Sequence, residues 1–296
     1  MSLLVVATYP VSGGPLLSGS VRREEGVLYV DGTPIPVSQG TSAMLGAACA
    51  VSDYLGTPAP HALIAGDIGR GDGTRAVYTR LADVVTQVRP SVIAFHYMQP
   101  VMALMRQAVC DIGVAAPDAL LVADAGGMYA AKAAGIAGRF ELMTPDVGEV
   151  GFLADSQATH PAYVSHYLFG TDEFDPPELV RLAAERGGSA RVLLVKGKTD
   201  HISLWGDVAG TVETPHVPAL EAIGGTGDTI TGLAAGFMAA GFPTVDAALC
   251  ASRANRHAGA AIRATPAMRA DDLVAALPAV FAEHLCAWSG ACYVCP

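Results

Sequence analysis

Short apolar runs alternate with helical patterns along most of this chain, and that alternation restricts the folds open to it. Leu3–Ala7, Ala62–Ala65, Ser91–Phe95, Leu120–Asp124, Phe140–Met143 and Val192–Lys196 each read as a buried strand. Between them, Val77, Leu81, Val84, Val85 and Val88 share one helical face. Leu179, Leu182 and Ala183 do the same, and Gly187-Gly188 then supplies a stop signal. Near-continuous apolar strands separated by helices predict a mostly parallel central sheet covered on both faces, a three-layer α/β/α sandwich.

Two regions break the pattern. Within residues 10–40, Val27–Val30 and Ile35–Val37 read as strands joined at Asp31-Gly32, a good hairpin turn. Residues 155–178 have mixed polarity and three prolines, and the strand–helix pattern resumes directly afterwards. They read as an insertion or lid rather than a linker. A single domain over residues 1–296 is the simplest organisation.

A glycine turn, Gly224-Gly225-Thr226-Gly227-Asp228, feeds the clearest helix of the sequence. Ile230, Leu233, Ala234, Phe237 and Met238 line one face of it, and small residues fill the other, so it is expected to pack all round. A stop is expected near Gly241, ahead of Pro243. Converging N–H groups and the helix dipole make such an entry an anion site, and glycines let phosphate oxygens approach the backbone. Asp228 would repel that anion unless it has another task. It can cap the helix, or act as a base toward a hydroxyl beside the amides that hold a transferring phosphoryl group. No Walker A loop and no dinucleotide fingerprint is present.

Composition narrows the function classes. The net charge of −10 argues against a general nucleic-acid binder, which needs a basic surface. No apolar run reaches about 18 residues, so no membrane span is expected. Met1–Ala7 reads as a first strand rather than a signal peptide, and a cytoplasmic location is the default expectation.

Gly224–Gly232, GGTGDTITG, resembles the GTGD anion-hole motif of the ribokinase-like superfamily, and most of all its ADP/ATP-dependent NAD(P)H-hydrate dehydratase branch. Thr144-Pro145-Asp146-Val147-Gly148-Glu149 resembles that branch's TPHPGE and equally the TPNxxE of vitamin kinases. Val195-Lys196-Gly197 resembles the superfamily's strand-ending KG. Ala65–Asp72 and Val122–Ala125 resemble the dehydratases' GPGLGRD and DAD segments. The resemblance implies a ribokinase-like fold, ATP or ADP as phosphate donor and Mg²⁺ as its partner ion. It implies Asp228 as catalytic base and the amides of Gly225, Thr226 and Gly227 as the anion hole. Lys196, Gly197 and Asn255 would meet the nucleotide, and Gly66, Gly69, Asp124 and Asp146 the acceptor. Glu149 would hold the metal or its waters, since a carboxylate beside a polyphosphate needs a cation between them.

Each role has a plainer competitor. Glu149 also suits the first turn of a helix, and Lys196 also reads as a surface lysine. For Asn255, Arg256 and His257 a solvated helix face is favoured over a base pocket. Asp146 and Val147 replace the His and Pro usual in the dehydratases, and Val122 replaces the first acid of their DAD segment. The implied reaction is phosphorylation of hydrated NAD(P)H followed by loss of phosphate. A kinase for a vitamin precursor or sugar is the rival, and a non-catalytic nucleotide sensor a third reading. The superfamily often assembles, so a homo-oligomer is a candidate. His284, Cys286, Cys292 and Cys295 could supply soft metal ligands, but a tail of reduced thiols over residues 286–296 is favoured.

Overall fold

A computed structural model describes residues 1–36, 39–158 and 175–289. The chain runs β1 (Leu3–Tyr9), β2 (Leu16–Glu24), β3 (Val27–Val30), β4 (Thr33–Ile35), α1 (Thr41–Leu55), β5 (His61–Gly66), α2 (Asp72–Val88) and β6 (Val92–His96). It continues through α3 (Met102–Ala115), β7 (Leu120–Ala123), α4 (Ala125–Ala133), β8 (Leu142–Met143), α5 (Val147–Ala154) and α6 (Pro176–Glu185). The remainder is β9 (Val192–Val195), β10 (Asp200–Leu204), β11 (Asp207–Val212), α7 (Thr226–Ala239), α8 (Thr244–Ala261) and α9 (Ala270–Ser289).

Among the described residues one sheet of 11 strands forms, in the order β11-β10-β9-β8-β7-β6-β1-β5-β2-β3-β4. Its centre, β9 to β5, is parallel throughout. The flanks are antiparallel, β10–β11 on one side and β2–β3–β4 on the other. Strand β1 shows why the centre needs two covering layers. Leu3, Val5 and Ala7 enter a core built with α1, α7, α8 and α9, while Leu4 and Val6 enter a second core with α2 to α6. Alternate residues of a strand face opposite sides, so an apolar run must be buried on both.

The Asp31-Gly32 turn has φ of 48° and 76°, the doubly positive geometry of a two-residue hairpin. Its second strand is Thr33–Ile35, and Val37 lies outside the described residues. Phe140–Met143 shortens to β8, and Asp124 leaves β7 to cap α4. Pro176 and Pro177, inside the expected insertion, open α6, because proline suits the first helical turn. Residues 159–174 of the expected lid lie outside the described residues, as do Cys292 and Cys295.

The pattern of residues 41–55 signals no helical face, yet α1 is buried from Thr41 to Ser52. A helix apolar or small on every side has no amphipathic period to read. It packs on α7 so closely that a Cβ on Gly232 would stand 2.1 Å from Met44 O. No described helix is long and apolar enough to cross a membrane.

Candidate active site at the N-terminus of α7

Helix α7 starts at Thr226, after Gly225 at φ 99°. A Cβ at Gly225 would meet Ala270 Cβ at 2.9 Å and Gln39 Cα at 3.0 Å, so the turn requires glycine twice over. The Thr226 N–H reaches Ile223 O at 3.4 Å. Among the described residues the N–H groups of Gly227 and Asp228 have no backbone acceptor and join the positive end of the helix dipole.

The Asp228 carboxylate is gripped at both oxygens. His96 Nε2, at the end of β6, lies 2.9 Å from Oδ1, and the Gly40 N–H donates to Oδ2 at 2.8 Å. Burial alone would push this carboxyl up. The His96 bond and charge, Lys196 and the Gly40 N–H outweigh burial and hold it below its ordinary value. Tyr97 covers the pair, with its ring centroid 4.4 Å from that of His96. Burial, then Asp228 and Asp124, push the Tyr97 phenol up to about 12. Tyr97 as a whole remains 48% exposed, an aromatic residue beside the acid.

Beside this lies a second charged group. Lys196 Nζ stands 3.2 Å from both oxygens of Asp124, which also accepts from Thr231 Oγ1 at 2.6 Å. Burial would pull the lysine down, but Asp124, Glu149 and Asp228 hold it above its ordinary value. The surface-lysine alternative is thereby corrected, for the Lys196 side chain is 16% exposed and points inward. His96, Asp124 and Asp228 bring ligand-capable atoms within 4.8 Å of one another. Lys196 already supplies a positive charge to that cluster.

Asp146 and Glu149 form a reciprocal capping box at the start of α5, each side chain accepting the other's backbone N–H at 2.8 Å. Tyr129 donates its hydroxyl to Glu149 Oε1. Burial, then Asp124, raise the Glu149 carboxyl, with Asp146 adding to the effect. The first-turn role of Glu149 is therefore present. Two carboxylates with spare acceptor positions also form the hard oxygen set that suits Mg²⁺, and a cation there would relieve their repulsion.

A cavity of about 400 Å³ opens against Thr226, Gly227, Lys196, Gly197 and Asp146. Lys198, His216, Val217, Leu220, Asn255 and Arg256 complete much of its wall. The solvated-face expectation for Asn255 and Arg256 fails, because they are only 4% and 6% exposed. Arg256 Nε meets Asp200 at 2.9 Å, and its Nη2 reaches the carbonyls of Gly197 and Lys198 at 2.9 and 3.0 Å. It clamps the Gly197–Asp200 turn to α8. Asn255 Oδ1 meets Thr229 Oγ1 at 2.6 Å and ties α8 to the start of α7. Asp228 does not line this cavity; its carboxylate faces β6 and α1 instead.

The 65–72 segment is organised by Asp67. Its carboxylate accepts the N–H groups of Gly69, Arg70, Gly71 and Thr74. Gly69 is exposed at φ 93°, while Gly66 is a close-packing position, where a Cβ would stand 2.5 Å from Gly14 and Val11 backbone atoms.

A family model described as NAD(P)H-hydrate dehydratase, of the carbohydrate-kinase type, matches residues 104–279, more than half of the chain. The chain belongs to this family. A relative in Methanocaldococcus jannaschii, an uncharacterized protein, is 33% identical over 238 residues, covering 79% of this chain and 96% of its own. Bacillus subtilis YxkO shares the fold, with TM-score 0.53 and 20% identity over 82% of this chain and 90% of its own. Staphylococcus aureus pyridoxal kinase, solved with AMP-PCP and pyridoxal, matches with TM-score 0.53 and 14% identity over 86% of each chain. The ribokinase-like fold is thus established, and family and fold together identify a nucleotide-dependent, kinase-like enzyme.

Sequence reasoning passed over His96, Thr231, Asp200 and Tyr129 in this family member. His96 carried a usable signal. It is a polar residue closing an apolar strand at the carboxyl edge of a parallel sheet, where sites of such folds lie.

Proposed function

We propose that this protein transfers a phosphoryl group from ATP or ADP to the hydroxyl of hydrated NAD(P)H, after which loss of phosphate restores the reduced cofactor. The observation that carries the reading is the ionised Asp228 carboxylate at the head of α7, beside the Gly227 and Asp228 N–H groups that have no backbone acceptor among the described residues, and across the turn from the cavity. The two sides divide the work. The nucleotide would lie in the cavity against Lys196, Gly197 and Asn255, with its terminal phosphate at Gly225, Thr226 and Gly227. The acceptor would approach from the side of β6 and α1, where the Asp228 carboxylate and the Tyr97 ring lie.

In this arrangement Asp228 takes the acceptor's hydroxyl proton, and the helix N-terminus stabilises charge on the phosphoryl oxygens. Glu149 and Asp146 would hold Mg²⁺ or its waters, and the ion would offset the charge of the donor's phosphates.

The test is turnover of hydrated NADH with ATP and ADP in parallel. Inorganic phosphate and NADH are expected as products. Asp228→Asn should still bind nucleotide while losing about 10²- to 10⁴-fold in turnover. Wild-type rates in that variant would refute the reading. A kinase that leaves a stable phosphate ester is the second reading, favoured by Asp146 at the N-cap of α5, where the vitamin kinases carry asparagine. A phosphate ester in place of free phosphate would select it.

A further inference from the structure

Hydrogen-bond accounting around Asp228 leaves a proton that the His96 side must hold. Thr41 Oγ1 lies 2.6 Å from Thr8 O and 3.3 Å from His96 Nδ1. A hydroxyl has one hydrogen and a carbonyl can only accept, so the shorter contact takes it. Thr41 Oγ1 then meets the ring as an acceptor, and Nδ1 carries a hydrogen. On the other side Nε2 faces two carboxylates, Asp228 Oδ1 at 2.9 Å and Asp124 Oδ2 at 3.9 Å. An ionised carboxylate oxygen 2.9 Å away can only accept, so Nε2 carries the second hydrogen. The His96 side chain is fully buried, so solvent does not supply an alternative partner.

We propose that His96 is the positioning residue of Asp228, donating from both ring nitrogens as an imidazolium and aiming the carboxylate at the acceptor alcohol. The inference rests on the phosphoryl-transfer reading of Asp228. Gly40 and Thr41, consecutive at the start of α1, hold the two partners, one by its N–H on Asp228 and one by its hydroxyl on His96. Each carboxylate oxygen then keeps one more acceptor position for the substrate. Asp124, Lys196 and Tyr97 are the other ionisable groups facing the pair. Asp124 gives the added positive charge a second counter-ion.

In the reaction the alcohol's O–H bond breaks and its proton passes to Asp228. The alcohol oxygen bonds to phosphorus as the donor's terminal P–O bond breaks, and the departing nucleotide keeps that electron pair. His96, Gly40 and Thr41 all precede the family match at residues 104–279, so this grip is supplied by the first third of the chain.

Protein labelled with ¹⁵N-histidine tests the pair directly at neutral pH. Loss of one imidazole signal in His96→Gln assigns that residue among the 8 histidines. Thr41→Val, which should move the same signal, assigns it if the glutamine variant does not fold. Protons on both His96 nitrogens are expected; an unprotonated nitrogen overturns the proposal. In kinetics, His96→Leu should lower kcat by about 10- to 100-fold with nucleotide KM unchanged, since a misaimed base costs rate rather than donor binding. His96→Gln, with one donor, should recover part of that loss. Wild-type kcat in the leucine variant also overturns it. If the wild type turns over no acceptor, the functional reading fails, and the ¹⁵N spectrum still decides the state of the pair.

Discussion

Lys196 Nζ bridges both oxygens of Asp124 at 3.2 Å, with the lysine side chain 16% and the aspartate 3% exposed. The two residues come from the ends of β9 and β7, with β8 between them. Removing one member strands a buried charge, which costs more than the pair contributes intact. Lys196→Met is expected to destabilise by about 3–5 kcal/mol, and Asp124→Asn added to it should restore part of the loss. Urea unfolding of the two variants measures both. A loss below about 1 kcal/mol, as for an exposed pair, would mean the charges are solvated in the native state.

The lowered Asp228 carboxyl fixes the direction of a pH effect. Below its folded value the group is protonated, and both its basicity and its ion pair with His96 disappear; above about pH 5 it is fully ionised. The kcat/KM profile should therefore show no acid limb from Asp228 above about pH 5. A limb centred near neutrality that vanishes in Asp228→Glu would contradict this assignment.

Two glycines in helices should respond to alanine with opposite signs. At Gly232 the new methyl meets Met44 O at 2.1 Å, and backbone cannot step aside cheaply. A loss of about 1–3 kcal/mol is expected. At Gly151 in α5 nothing lies within 4 Å, so alanine should stabilise by about 0.5–1 kcal/mol through backbone entropy. Thermal melts of both variants against the wild type give the comparison; a Gly232→Ala variant as stable as the wild type would contradict the packing of α1 on α7, and a destabilised Gly151→Ala the open space beside α5.

Burial raises the Asp67 carboxyl, but four backbone N–H groups outweigh it and hold the group low. A lowered carboxyl stabilises the fold above its unfolded value and loses that contribution as pH falls through its folded value. Asp67→Asn should melt below the wild type by a constant margin from pH 8 to about 5, narrowing below about 4. A margin that persists at the acid end would show that shape, not charge, holds the 66–74 turn.

Much of the fold was legible because local periodicity records which faces are buried. The apolar runs at β1, β5, β6 and β9, the face of α2 and the stop at Gly187-Gly188 carry that record. It fails for α1, which is buried nearly all round, and for β10 and β11, whose alternation is weak. Arg256 shows the same limit at the site. Its charge reads as a surface residue until Asp200, 56 residues earlier in sequence, is brought against it.

By itself the sequence determined that a glycine turn enters a tightly packed helix with an acid at its third position, because turn chemistry and helix period are local properties. Only the tertiary structure decided what that acid touches. His96 lies 132 residues from Asp228, and their contact depends on β6 sitting beside β1 with α7 packed across the sheet. Strand order and register set such distances, and no local pattern encodes them.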